Sequence, residues 1–289
     1  MLFVFRAVSD ATASRCLDCT VLNRVSPQAN PNIFNILSYY LHYLPQFAYL
    51  ASMGIRKVSN PPNPYSDRYT EWIDCEPQSE LEVFEETARS ILSENKSPDL
   101  PFRYSVNPYR GCFHGCIYCY ARPTHQYLDF GAGTDFETKL VVKRNAATLL
   151  RQAFMRPNWC GDLIVFSGVT DCYQPLELSY QLTKQCLEVC HSFKNPVCIV
   201  TKGALIVRDT ELLSDLHAEA HVEVFISIPC LDNDIAKAIE PYAPRPAVRL
   251  RAMKKLSEAG VPVGVAIAPI IPGLTDSHIA KVLESAHSA

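Results

Sequence analysis

From Arg103 to its end the chain alternates short apolar runs with longer stretches whose apolar residues recur at helical spacing. That alternation restricts the fold more than any other feature, because it is the pattern of parallel β-α units. Strands are expected at 102–106, 163–166, 197–200, 222–228 and 263–268, with helices between them. The clearest helix spans 177–193, where Leu178, Leu182, Cys186, Val189, Cys190 and Phe193 fall on one face. Cys186 and Cys190 are thereby core residues rather than ligands, and Cys198 on its strand is read the same way. Ala252, Met253, Leu256 and Ala259 form the apolar face of a later helix that Gly260 and Pro262 end, with Arg245, Arg249, Arg251, Lys254 and Lys255 as its solvated side. Parallel strands joined by right-handed crossovers close into a barrel or stay open. In either case ligands gather at the carboxyl ends of the strands.

At 289 residues and 48% hydrophobic content the chain can bury a sizeable core. It divides into an atypical extension (1–55), an extended acidic lead-in (56–100) with a short helix near 80–92, and the α/β region (101–289). The apolar run 33–53 is long enough to cross a bilayer, but Asn35, His42, Pro45 and Gln46 interrupt it, so no membrane span is expected. The extension reads as a targeting segment or as translated upstream sequence with Met53 as the natural start, and Cys16 and Cys19 are given no role. Twelve scattered cysteines without a secretory signal suit a reducing, cytoplasmic location. The net charge of -3 argues against a wholesale polyanion binder. Residues 67–99 nevertheless hold ten acidic and three basic side chains, and 101–156 eight basic and three acidic. The basic segment reads either as a solvated surface or as a landing site for an anionic substrate.

Chemistry concentrates in Asn107-Pro-Tyr-Arg-Gly-Cys112-Phe-His-Gly-Cys116-Ile-Tyr-Cys119-Tyr120. Cys112, Cys116 and Cys119 can ligate three irons of a 4Fe-4S cubane and leave the fourth open. Gly111 and Gly115 stand where backbone N–H groups approach such a cluster. The other reading is a structural zinc loop with His114 or His125 as the fourth ligand, the basis of a non-catalytic zinc or iron-sulfur nucleic-acid-binding protein. Taken alone, His114 is a surface loop residue.

The C-x3-C-x2-C spacing, with Tyr118 just before the last cysteine, resembles the signature of the radical S-adenosylmethionine (SAM) superfamily. Within it the chain is similar to the group containing spore photoproduct lyase, through residues 107–124, 170–175, 200–202, 240–241, 249–260 and 265–269. The resemblance implies a partial (β/α)6 barrel, a 4Fe-4S cluster on the three cysteines, and SAM chelated to the open iron. Reductive cleavage would then release a 5′-deoxyadenosyl radical for hydrogen abstraction, with nucleic acid among the expected substrates. A reducing partner such as flavodoxin or ferredoxin is also implied. It further implies a SAM pocket of Tyr118, Ser167, Gly168, Thr170, Lys202, Ser227 and Ala268. Ser227 would meet the ribose or carboxylate, and the strand holding Ala268 the adenine. Spore photoproduct lyase returns a hydrogen atom from a cysteine near the end of strand two. Here Gly168 stands about there, and Cys172 is either a substitute donor or a packing residue. No catalytic residue is assigned. The chain ends before a sixth strand, so the barrel is expected to lack its last strand, to leave the edge of the fifth unpaired, and to associate through it.

Overall fold

The computed structural model describes the backbone of residues 3–6 and all of 81–289. Cys16, Cys19, the run 33–53 and Met53 lie outside these residues. In chain order, strand β1 is Phe3–Arg6, β2 Glu82–Glu86, β3 Leu92–Glu94, β4 Tyr104–Val106 and β5 Tyr109–Arg110. Helix α1 (Asp135–Thr138), β6 (Lys139–Lys143), α2 (Ala146–Phe154) and β7 (Ile164–Phe166) follow. Then come α3 (Glu177–Tyr180), α4 (Leu182–Ser192), β8 (Val197–Thr201), α5 (Thr210–Glu219) and β9 (Val222–Ser227). The last elements are α6 (Asn233–Ile239), α7 (Pro246–Glu258), β10 (Val263–Ile267) and α8 (Ile279–His287).

The five expected strands form the middle of one sheet, β4-β7-β8-β9-β10, all parallel. Their spatial order is their chain order, as in a barrel wound in one direction and left open. β7 and β10 are buried on both faces, which is why Ile164-Val165-Phe166 and Val263 to Ile267 read as unbroken apolar runs, while β8 and β9 alternate buried and half-buried residues. Helices α2 and α4 cover them with Leu150, Phe154, Cys186, Leu187 and Cys190. A smaller sheet, β2-β6-β5, packs beside the first turn of the chain after β4.

Five expectations are corrected. The lead-in near 80–92 is strand, not helix: β2 pairs parallel with β6 and β3 antiparallel with β4, so sheet partners override a local helical pattern. The helix expected over 177–193 breaks at Gln181, which is left-handed (φ 52°). The break arises because Glu177 folds back to accept from the backbone N–H of Thr183 (2.9 Å) and Lys184 (3.2 Å), starting a second helix. Leu178, on the short first piece, is therefore 64% exposed rather than core, and Cys198 is half-buried rather than fully so. Finally, the outer edge of β10 is not unpaired: β1 lies antiparallel to it, Phe3 opposite Ile267 and Arg6 opposite Gly264.

Candidate functional site

The cysteine loop begins where β4 gives out. After Val106 the chain makes the short β5, antiparallel to β6, and then turns at Gly111 with φ +73°. A Cβ there would lie 2.8 Å from both Leu140 Cδ2 and the Phe136 carbonyl oxygen, so only glycine fits. Gly115 also has positive φ (+64°), packed against the Tyr242 ring. Between them the main chain is pinned: Cys112 N–H donates to Phe136 (2.9 Å), Ile117 N–H to Ile239 (3.0 Å) and Tyr242 N–H to His114 (3.3 Å). Arg122 gathers the loop from below, donating to the carbonyls of Cys116, Gly115 and Gly133 and pairing with Glu137 at 2.5 Å.

Cys112 and Cys116 are buried and Cys119 half-buried, all three free. Burial pushes the Cys116 thiol up to about 12 and raises Cys119. Burial alone would lift Cys112 as well, but the His114 imidazole beside it brings it below its usual value. His114 is not a surface residue: it is 2% exposed, with Nδ1 3.4 Å from Asp171 Oδ2. Burial works against its charged form, yet Asp171 and Cys112 together carry it up to about 10. Asp171 in turn accepts from Thr201 Oγ1 (2.6 Å), Lys202 N–H (2.7 Å) and Tyr173 N–H (2.9 Å). Burial opposes its charge, but His114 and these donors hold it well below the usual carboxylate range.

The ends of β7, β8 and β9 are stitched to this loop. Past β7, Ser167 (φ 91°) and Gly168 (φ 126°) both lie in the left-handed half of backbone space, a strained pairing for the serine. Asn107 Oδ1 accepts from Val169 N–H at 3.2 Å, Thr170 Oγ1 donates to the Gly111 carbonyl at 2.6 Å, and Gln174 receives Phe113 N–H at 2.9 Å. Tyr120, exposed, donates its hydroxyl hydrogen to the Gly168 carbonyl. Past β8, Lys202 Nζ sits 5.6 Å over the Tyr118 ring and 3.9 Å from Glu240 Oε1. The Tyr118 hydroxyl donates to Glu240, which also takes Arg249. Arg249 is 1% exposed and donates to the carbonyls of Ser227 (2.8 Å) and Pro244 (2.7 Å), so it is no part of a solvated face. Tyr118, Thr170, Gly168, Lys202 and Ser227 are thus joined to the cysteine loop by hydrogen bonds or ring contact. Ala268 lies apart, half-buried just past β10, whose Ala266 pairs with Ser227.

Sequence reasoning missed Asn107, Asp171, Glu240, Arg122 and Arg249 as parts of this site, and took His114 for a zinc ligand or a surface residue. For Arg249 a signal existed, since 249, 252, 253 and 256 share one helical face and the last three are core. Cys172 is fully buried in the main core, with its thiol raised well above its usual value by burial. The basic residues of 101–156 are largely committed: Arg103 pairs with Glu94, Arg110 with Glu86, Arg144 with Glu85 and Lys139 with Asp135.

Three free thiols in one loop are the donor set of a cubane with one open corner. Among the described residues no three His, Cys, Asp or Glu side chains converge closely enough to hold one metal ion, whereas a cubane takes its thiolates at separate corners. His125, the other zinc candidate, is buried with Nε2 2.7 Å from the Lys139 carbonyl and its ring packed on Phe130 and Phe136. Among the described residues no helix is long and apolar enough to cross a membrane.

The sequence profile of the radical SAM superfamily matches residues 106–286. An uncharacterised protein of Mycobacterium tuberculosis strain H37Rv is 41% identical over 194 residues, 65% of this chain and 57% of that protein. The chain therefore spans little more than half the length of that relative. An uncharacterised protein of Methanocaldococcus jannaschii is 30% identical over 198 residues, covering 68% of this chain and 71% of its own. Among solved structures, a spore photoproduct lyase variant shares the fold at TM-score 0.55 and 18% identity, over 88% of this chain and 73% of that one. Another, solved with bound AdoMet and dinucleoside spore photoproduct, matches at TM-score 0.55 and 18% identity over 87% and 72%.

Proposed function

The chain belongs to the radical SAM superfamily, and on that premise we propose that it is an enzyme holding a 4Fe-4S cluster on Cys112, Cys116 and Cys119 with SAM on the fourth iron. When bound, these groups supply one-electron cleavage of the sulfonium to methionine and a 5′-deoxyadenosyl radical for hydrogen abstraction. The observation that carries the reading is the placement of three unpaired thiols at the carboxyl end of β4, in a loop bonded to the ends of the neighbouring parallel strands.

In this reading the residues of the chain bind and orient. Lys202, held over Tyr118, offers an ammonium to the SAM carboxylate. Gly168 and Thr170 supply the small turn that meets the amino group, Ser227 a hydroxyl for the ribose or carboxylate, and the Ala268 backbone the adenine edge. The pinned main chain of the loop limits the access of water to the reacting atoms. Reducing equivalents come from a flavodoxin or ferredoxin in a cytoplasmic setting.

Nucleic acid is the substrate class this reading favours, from the likeness to a protein solved with a dinucleoside spore photoproduct. The basic segment lends that choice little, because Arg103, Arg110 and Arg144 pair with the acidic lead-in and Arg122 with Glu137. Dimer repair itself is not part of the proposal, since Gly168 stands at the end of β7 and Cys172 is in the core. The test is anaerobic purification with iron, sulfide and zinc analysis, then incubation of the reduced protein with SAM and oligonucleotides. Iron with matching acid-labile sulfide, and 5′-deoxyadenosine that forms faster with one oligonucleotide, is expected. Zinc without sulfide would replace the proposal with a zinc-bearing binding protein.

A further inference from the structure

The cysteine loop meets solvent at two places. Beside the end of β7 stands Tyr120, exposed, with its hydroxyl on the Gly168 carbonyl; this is the place given above to SAM and substrate. Beside the end of α6, Ile117 is the single exposed residue from Gly111 to Cys119. We infer that Ile117, Tyr242, Lys237 and Arg245 form the landing surface of the electron donor, a small acidic carrier protein. The inference rests on the cluster reading above and adds to it the place where the electron enters.

Ile117 follows Cys116 directly, and the residues on either side of it turn inward: Cys116 is buried and Tyr118 carries its hydroxyl to Glu240. The Ile117 N–H donates to the Ile239 carbonyl (3.0 Å), which brings the last turn of α6 and residues 240–245 against the loop. Tyr242 is 55% exposed, its N–H on the His114 carbonyl (3.3 Å) and its ring packed against Gly115 and centred 5.3 Å from that of Phe113. Isoleucine and tyrosine thus give the loop an apolar face toward solvent.

The rim of that face is positive. Lys237 stands in the last turn of α6 and Arg245 is the N-cap residue of α7; both are exposed, and among the described residues neither pairs with a carboxylate. The carboxylates close by are occupied, Glu240 being buried with Arg249 and Glu137 holding Arg122. Asp232 and Asp234 lie at the opposite end of α6. An apolar centre with a charged rim is the usual anatomy of a contact between proteins. Electron-transfer contacts are small, below about 1,200 Å² in total, so a few side chains suffice. Free cations on the rim select a negatively charged partner and steer it in. Nucleic acid is negative too, but a substrate must reach SAM beside Gly168, whereas an electron needs only a close approach to the cluster. On contact, the reduced centre of the carrier loses one electron and the cluster gains it.

The test measures binding of oxidised flavodoxin through its flavin fluorescence, and separately SAM cleavage driven by reduced flavodoxin or by dithionite. It compares reconstituted wild type with Lys237→Glu/Arg245→Glu. Lys254→Glu/Lys255→Glu, about 13 Å further along α7, is the control of equal charge. Each is checked for fold by circular dichroism. Lys237→Glu/Arg245→Glu should weaken flavodoxin binding about tenfold at low salt and flatten its salt dependence. Cleavage driven by flavodoxin should slow, and cleavage driven by dithionite should not. The control should stay near wild type. Should the reversed pair fail to fold, Lys237→Gln/Arg245→Gln is read in the same way, with a smaller shift. An unmoved flavodoxin affinity, an equal loss in the control, or a parallel loss with dithionite overturns the inference. So does weaker oligonucleotide binding with flavodoxin binding unmoved, which would make the patch a nucleic-acid contact. A wild-type protein without iron and sulfide overturns the cluster reading, whereas a normal cluster with an unmoved flavodoxin affinity overturns this inference alone.

Discussion

The hydroxyl of Tyr118 donates a hydrogen bond to Glu240, 122 residues further along the chain. Glu240 also carries the buried Arg249, and Arg249 donates to the carbonyl of Ser227 at the end of β9. The residue before the last cysteine is thereby fastened to the strand end proposed to meet SAM. Removing one partner of a buried ion pair leaves the other uncompensated, at roughly 3–5 kcal/mol. Glu240→Ala should therefore lower the urea midpoint sharply and make the cluster labile, while Tyr118→Phe, which loses only the hydroxyl, costs roughly 1 kcal/mol. A Glu240→Ala protein within 1 kcal/mol of wild type would mean the pair is not closed as described.

Lys143 gives a pH signature. It is buried on β6, donates to the Asn107 carbonyl at 2.8 Å, and is brought down to about 8 by burial first and then by Arg110. An unfolded lysine titrates near 10.4. Below about 8 the side chain is protonated in both states and the folded protein bears the full cost of the buried charge. Between there and about 10.4 the unfolded chain binds more protons, so this cost fades as pH rises. Denaturation midpoints of wild type and Lys143→Met should therefore converge or cross in that window, wild type gaining on the variant. A difference flat from pH 7 to 10 would show that Lys143 keeps an ordinary affinity for its proton.

Cys172 is fully buried in the main core, its backbone N–H donates to Ser167 Oγ at 3.3 Å and its carbonyl accepts from Thr183 Oγ1 at 2.6 Å. Cys172→Ala should cost roughly 1 kcal/mol, as for the loss of one buried heavy atom. The ratio of 5′-deoxyadenosine to product should not move. Extra 5′-deoxyadenosine with diverted product in that variant would instead make Cys172 a hydrogen donor.

What could be read from the sequence was local. The three cysteines and the two positive-φ glycines share one loop, so spacing alone displayed them. Of the five parallel strands, β7 and β10 are unbroken apolar runs that no surface element would tolerate. What could not be read depends on partners distant in the chain. The carboxylate that buries His114 comes from the end of β7, and the bond fixing Thr170 spans 59 residues. Nothing in Glu82 to Glu86 announces the strand it forms, because β6 supplies the reason. The break at Gln181 comes from Glu177 capping the next helix, a device that helical periodicity does not record.

The most direct measurement of the central claim is SAM cleavage by the anaerobically reconstituted, reduced protein, compared with Cys116→Ala and with Cys186→Ala. Wild type and Cys186→Ala should release 5′-deoxyadenosine and methionine in equal amounts, and Cys116→Ala should release neither and lose the iron-sulfur absorbance. Cleavage retained by Cys116→Ala, or a wild-type protein that carries zinc and no sulfide, would contradict the account.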